Sequence, residues 1–214
     1  MARYTSWRAG GNARQFYKPV DLPDLCLFLQ QLDPDEPLLW LGLGSNLLVR
    51  DGGFPGTVIG MLGAISDLEW LDEVTIRAGA GATCAKVART TSKAGLTGAE
   101  FLAGIPGTMG GALAMNAGAF DGETWTYVTA VETIDRRGRL YTRKPDEYRI
   151  SYRSVQGPVD EWFVAAHLAL QPGDTKEAQA RIRELLAARG AAQPVQQHSC
   201  ARYSVIRPAI TRHG

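Results

Sequence analysis

Neither cysteine nor histidine is plentiful in this chain, and each shortage removes a class of chemistry. The 214 residues hold three of each. Cys26, Cys84 and Cys200 are far apart and odd in number. They fit neither a disulfide framework nor the paired spacing of a zinc site, so reduced thiols are expected. His167, His198 and His213 form no cluster in the sequence, which leaves no arrangement for a metal centre or a Ser-His-Asp triad. No apolar run approaches the roughly 18 residues of a membrane helix, and the opening Ala-Arg-Tyr-Thr-Ser-Trp has no signal-peptide core. Charge of one sign is lacking too: the formal net charge is +1 with no long basic run, which argues against nucleic acid as a partner. A cytoplasmic protein without membrane insertion is expected.

Glycine, by contrast, is abundant, with 24 residues. Its densest stretch runs over 95–118, Gly-Leu-Thr-Gly-Ala-Glu-Phe-Leu-Ala-Gly-Ile-Pro-Gly-Thr-Met-Gly-Gly-Ala-Leu-Ala-Met-Asn-Ala-Gly. Phe101, Leu102, Ile105, Met109, Leu113 and Met115 are interleaved with the glycines, which is unlike a flexible linker. Bare backbone in an apolar setting suits close packing against phosphates or an aromatic ring system.

With 45% hydrophobic residues, the chain can build one large domain or two small ones. Asp21 and Pro23 open a helix whose apolar positions are Leu25, Phe28, Leu29 and Leu32. Leu38–Leu41 reads as a buried strand ending at Gly42, and Asp51-Gly52-Gly53 as a turn before a short strand at Thr57–Ile59. A further strand is expected at Val74–Ala78, after which Gly79–Ala82 turns into a helix through Lys93. Val128–Thr142 forms a hairpin about Arg137-Gly138, and Trp162–Leu170 is another strand. Asp174 caps a helix through Arg189, with Gly190 as its stop. The class is mixed α+β, without internal repeats.

Four segments carry candidate chemistry. Gly42-Leu43-Gly44-Ser45-Asn46-Leu47-Leu48-Val49-Arg50-Asp51 follows a strand, and successive N–H groups there can converge on an anion. It lacks the third glycine and the following helix of a dinucleotide fingerprint, so it reads either as a phosphate loop or as an ordinary tight turn. Gly104-Ile105-Pro106-Gly107-Thr108-Met109-Gly110-Gly111 has no Gly-Lys-Ser/Thr, which excludes a P-loop, while Pro106 can start a helix with an anion-attracting N-terminus. Two such loops about sixty residues apart point to one extended ligand with two phosphates, a dinucleotide. Asn116, ahead of Ala117 and Gly118, can present donors and an acceptor to a ring edge, or equally cap a helix. Arg153, between Tyr152 and Ser154, offers a fork suited to a carboxylate, or is a solvated surface residue.

Taken together, these segments resemble the UDP-N-acetylenolpyruvoylglucosamine reductase family of flavoenzymes. The similarity begins at Trp7-Arg8-Ala9-Gly10-Gly11-Asn12-Ala13-Arg14 and continues through Gly42–Asp51 and Gly53-Phe54-Pro55-Gly56-Thr57. It takes in Glu100–Gly118 and Tyr152-Arg153-Ser154, and ends at Arg189 with Gln193-Pro194. The resemblance implies a PCMH-type FAD-binding fold of two α+β subdomains, 1–60 and 61–173, the PCMH-type region being about 8–172. A helix and link over 174–200 would lead to a substrate domain. It implies non-covalent FAD, since no histidine precedes residue 167. It also implies NADPH as hydride donor and reduction of UDP-N-acetylglucosamine enolpyruvate to UDP-N-acetylmuramate, a peptidoglycan precursor. Gly42, Gly44, Ser45, Asn46 and Leu47 would cradle the pyrophosphate. Gly104, Ile105, Pro106, Gly107, Thr108, Gly110 and Gly111, with Asn116, Ala117 and Gly118, would line pyrophosphate and isoalloxazine. Arg153 matches the family's catalytic arginine, and Tyr152 would orient the substrate. A monomer acting on small molecules, with no metal, is expected.

The resemblance breaks after Cys200. In the family, Ser-Cys is followed by Gly-Ser-Val-Phe-Arg-Asn-Pro, whose Ser is the proton donor, and then by a domain carrying a catalytic Glu. Here Ala-Arg-Tyr-Ser-Val-Ile-Arg-Pro-Ala-Ile-Thr-Arg-His-Gly occupies 201–214. A one-base displacement of the reading frame accounts for this tail. Placing a single G before suitable codons for it yields Gly-Ser-Val-Phe-Arg-Asn-Pro-Pro-Gly-Asp-His-Ala-Ala-Arg. The competing reading is a genuine alternative terminus. On the frameshift reading an aberrant tail stands in for the largely missing substrate domain, and Arg202, not Ser204, occupies the donor's position. Flavin binding is then expected to survive while turnover is severely reduced, with an apolar contact face exposed on residues 1–190. A non-catalytic flavin-binding fragment and an oxidase of the same flavin fold are the alternatives.

Overall fold

Asp21 accepts a hydrogen bond from the Asp24 N–H, and with a proline in the first turn this starts helix α1, Leu22–Gln31. The computed structural model describes residues 1–192, with the side chains of the last two left aside, and the backbone of Ser204–Val205. Helix α1 connects two strands of a three-stranded parallel sheet, ordered Ala13–Tyr17, Phe54–Gly60, Leu38–Leu41. The unbroken apolar run Leu38-Leu39-Trp40-Leu41 suits a parallel strand.

The second sheet is antiparallel and five-stranded, ordered Leu140–Arg143, Val128–Asp135, Glu161–Ala169, Thr75–Gly79, Leu68–Trp70. Helices α2 (Cys84–Lys93), α3 (Met109–Ala114) and α4 (Thr175–Ala192) accompany it. Its largest apolar cluster joins Val87, Leu102, Met109, Leu113, Val131 and Leu168. A second cluster sets Leu25, Leu29, Ile59 and Met61 from the first sheet's side against Ala80, Ile134 and Val164 from the second. That shared core fixes how the sheets meet, and the functional cleft opens beside it.

Two expected boundaries move. Gly190 does not stop α4, which runs to Ala192. Glycine ends a helix where a left-handed residue is needed, and Gly190 has no positive φ. Pro106 does not start a helix either. The Cys84 N–H donates to the Gly107 carbonyl at 3.0 Å, and Thr83 bridges Thr108, so the chain stays extended until α3 begins at Met109. Gln193-Pro194, His198, Ser199, Cys200 and most of the tail, Arg202 included, lie outside the described residues. The backbone of Ser204–Val205 pairs in parallel with Leu47–Leu48. Among the described residues, no helix is long and apolar enough to cross a membrane.

His167 lies on the strand Glu161–Ala169, where its Nε2 is 2.8 Å from Glu132. Arg77 grips the same carboxylate in a fork, Nε at 2.7 Å and Nη2 at 2.6 Å. Burial acts to raise the Glu132 carboxyl, but the bonds from Arg77 and His167 outweigh it and hold the group below its ordinary value. A carboxylate lowered in the folded state contributes stability above its unfolded value and loses it as pH falls. Glu132→Gln should therefore unfold at lower urea than the parent at neutral pH, with the gap narrowing towards about pH 3.5. Urea titrations giving the same gap at both pH values would refute this.

Candidate functional site

A cleft of about 300 Å³ lies between the two sheets. One wall is the end of the strand Leu38–Leu41 with Gly42; the other is Thr108 and the first turn of α3, with Gly110 and Gly111. The two glycine segments picked out in the sequence thus come together in space. A Cβ on Gly42 would collide with the Thr108 hydroxyl. At Gly111 a Cβ would meet nothing closer than that same oxygen at 3.8 Å, so the backbone there stands open to the cleft.

An aromatic wall completes the cleft: Trp40, Tyr148, Trp162 and Phe163. Trp40 stacks on Trp162 with centroids 5.2 Å apart, and Arg136 lies 5.6 Å over the Trp162 ring. Tyr148 packs against Trp125 and Phe163. Glu161, also on the lining, is held by Arg143 at 2.5 Å and by the Thr133 hydroxyl at 2.7 Å.

Three buried polar atoms on this lining have no hydrogen-bond partner among the described residues: Trp40 Nε1, Thr108 Oγ1 and the Tyr148 hydroxyl. Thr108 occupies the N-cap of α3, yet its side chain caps nothing. Burial pushes the Tyr148 hydroxyl up to about 12, keeping it a donor throughout the physiological range. An unpaired buried polar group costs about 1–3 kcal/mol. Three around one opening are the mark of a polar ligand that supplies the missing partners. A ligand with a planar ring and phosphates matches both the aromatic wall and the bare glycine backbone, so these residues fit a flavin dinucleotide.

The remaining predicted residues are placed elsewhere. Gly44, at φ +69°, is pressed against the Tyr4 carbonyl, and its own carbonyl accepts from the Ser6 N–H at 3.1 Å. Its glycine is explained by packing on the N-terminal turn. Ser45 and Asn46 form the following turn, and Leu47 is buried. Gly104 is buried beneath the Phe120 ring, Ile105 and Pro106 lead away from it, and Gly107 bonds to Ile105. The Met109 and Gly110 N–H groups are spent on the Ala82 and Ala80 carbonyls, both at 2.9 Å, which leaves fewer free donors than a glycine-loop reading expects.

Asn116 sits just past α3 at φ +39°, a left-handed position that asparagine tolerates. Its side chain is committed within the protein: Nδ2 donates to Glu123 at 2.9 Å, and Oδ1 accepts from the Trp125 N–H at 3.2 Å. Nδ2 also lies 3.5 Å from the Ser151 carbonyl. Ala117 is buried beside it, and Gly118 pairs with Glu123 in a short hairpin. Tyr152 and Arg153 form the tip of the hairpin Arg149–Ser151/Ser154–Gln156. Both are exposed, and Arg153 holds φ +58°. Val155, Gly157 and Pro158, just beyond, line the cleft.

Trp40, Tyr148, Trp162 and Phe163 are the lining residues that motif reading missed. For Trp40, Trp162 and Phe163 the only signal was apolar character within strands, which core packing produces equally well, and Tyr148, in the loop before Arg149, gave none.

A family model described as an FAD binding domain matches residues 18–143, more than half of the chain. The cleft and fold therefore define an FAD-binding protein. UDP-N-acetylenolpyruvoylglucosamine reductase of Alkalilimnicola ehrlichii is 56% identical over 200 residues, covering 94% of this chain and 67% of its own length. The reductase of Methylococcus capsulatus is also 56% identical, with 94% and 66% covered. The crystal structure of the reductase (MurB) from Thermus caldophilus superposes with a TM-score of 0.75 at 30% identity, over 90% of this chain and 68% of that one. The chain belongs to the UDP-N-acetylenolpyruvoylglucosamine reductase family, and it spans about two thirds of the length of these relatives.

Because Thr108 Oγ1 bonds to nothing among the described residues, removing it sacrifices no internal hydrogen bond. Thr108→Val should leave the ligand-free melting temperature within about 2 °C of the parent, or raise it, while weakening FAD binding about tenfold. A melting loss of several degrees, or unchanged FAD affinity, would contradict the assignment.

Proposed function

We propose that this chain binds FAD in the cleft and serves the NADPH-dependent reduction of UDP-N-acetylglucosamine enolpyruvate to UDP-N-acetylmuramate. The observation that carries the reading is the meeting of Gly42 with Thr108 among three unpartnered polar atoms, in a chain 56% identical to named reductases. FAD, when bound, supplies the hydride chemistry. The backbone at Gly42 and Gly111 and the Thr108 hydroxyl would hold its diphosphate, with Gly110 keeping the approach clear of a side chain. Trp40, Trp162 and Phe163 shield the bound rings from water. Residues 1–60 and 61–173 act as the two halves of the clasp, and the whole acts as a cytoplasmic monomer.

Arg153 faces the substrate. Its guanidinium has no carboxylate partner among the described residues, and its nearest ring is Tyr152, at 5.9 Å. A bulky residue at φ +58° is uncommon, and such backbone strain clusters at working sites. An exposed fork of this kind binds a substrate carboxylate bidentately and offsets negative charge growing on the adjoining carbon. Asn116, lying between α3 and Ser151, steadies the hairpin that presents it.

A specific observation favours a second reading, flavin binding without turnover. The tail after Cys200 departs from the family's Gly-Ser-Val-Phe pattern. Absorbance and NADPH consumption separate the possibilities. The purified protein should be yellow, and should consume NADPH only when the enolpyruvyl substrate is added. Yellow protein without substrate-dependent consumption would leave the binding role alone, and fast reoxidation by oxygen after reduction by a sugar or alcohol would indicate an oxidase. In any form that turns over, Arg153→Ala should keep the colour and lose about a hundredfold or more in rate.

A further inference from the structure

Gly104 ends the short 3-10 turn Glu100–Gly104, and the chain cannot continue from it as a helix because Pro106 has no N–H to give. Carbonyls at the end of a helical turn are left without donors from the helix itself. Here the donor comes from the far end of the chain: Arg189 Nη1, on the last turns of α4, reaches the Gly104 carbonyl at 2.9 Å. Arg181 and Arg183 on the same helix are exposed, whereas Arg189 is half-buried. Ala178, Ile182 and Leu185 bury the face of α4 that brings the guanidinium into range. On its other side Gly104 is closed by the Phe120 ring, so its backbone is clamped from two directions.

The clamp stands four residues before Thr108. The intervening Ile105-Pro106-Gly107 is tied by Gly107 N–H to the Ile105 carbonyl at 2.9 Å and, at its far end, by the Cys84 N–H to the Gly107 carbonyl at 3.0 Å, before Thr108 meets Gly42. We infer that Arg189 is a positioning residue for the cleft: through the Gly104 carbonyl it fixes the start of the segment that delivers the Thr108 hydroxyl to Gly42. The consequence for FAD rests on the binding role proposed above. The consequence for the segment's order does not. Through this contact, helix α4 bears on ligand binding without lining the cleft.

Hydrogen exchange on the ligand-free chain tests this together with FAD titration. In Arg189→Met, amides over 105–110 should exchange about tenfold faster while those of the strand Val128–Asp135 keep the parent's rates. Arg189→Lys, which retains a donor and a charge, should fall between the two. FAD affinity should drop about tenfold in Arg189→Met and recover in part in Arg189→Lys. Unchanged exchange over 105–110, or acceleration spread equally through the strand, would overturn the inference. A parent that fails to bind FAD yet shows the local exchange pattern would sink the proposed function and leave the positioning role standing.

Discussion

Gly42 and Thr108 approach so closely that no side chain fits between them, and the cleft takes its shape from that contact. Gly42 terminates the strand Leu38–Leu41 of the parallel sheet, while Thr108 introduces α3 against the antiparallel sheet. Neither sheet alone encloses a ligand. The joint is set by the apolar cluster of Leu25, Leu29, Ile59, Ile134 and Val164, so core packing a short distance away determines the width of the opening.

The cost of this arrangement falls on polar groups. Thr108 Oγ1, Trp40 Nε1 and the Tyr148 hydroxyl are buried without partners among the described residues, while other buried groups nearby are satisfied. The indole of Trp125 donates to Leu113, and the Thr124 hydroxyl to Ala117. Around the cleft, Glu161 is neutralised by Arg143, so the lining carries little uncompensated charge and leaves room for a ligand that brings its own. Stability given up at these atoms is recovered when a ligand satisfies them, which couples folding to binding.

Much of the fold was legible in the sequence because local rules and tertiary packing agreed there. Asp21 and Pro23 mark the start of α1, the run Leu38–Leu41 is a strand, and Arg137-Gly138 turns a hairpin. Gly190 misled because a glycine breaks a helix only where the chain must turn, and α4 continues through it. Pro106 misled because long-range bonds from Thr83 and Cys84 govern that segment. The site was half legible. Gly42, Thr108, Gly110 and Gly111 belong to motifs and do meet, whereas Gly44, Gly104 and Gly118 are glycines for close packing, a distinction invisible without neighbours. Trp40, Tyr148 and Trp162 come from separate strands and loops and share no spacing that a linear reading could detect.

The most direct test of the account is a crystal structure of the protein grown with FAD. Density for the diphosphate in the cleft, along the lining that Gly42, Thr108 and Gly111 share and within hydrogen-bonding distance of Thr108 Oγ1, is the predicted result. A well-ordered dinucleotide bound away from this cleft, with the hydroxyls of Thr108 and Tyr148 still unpartnered, would contradict it.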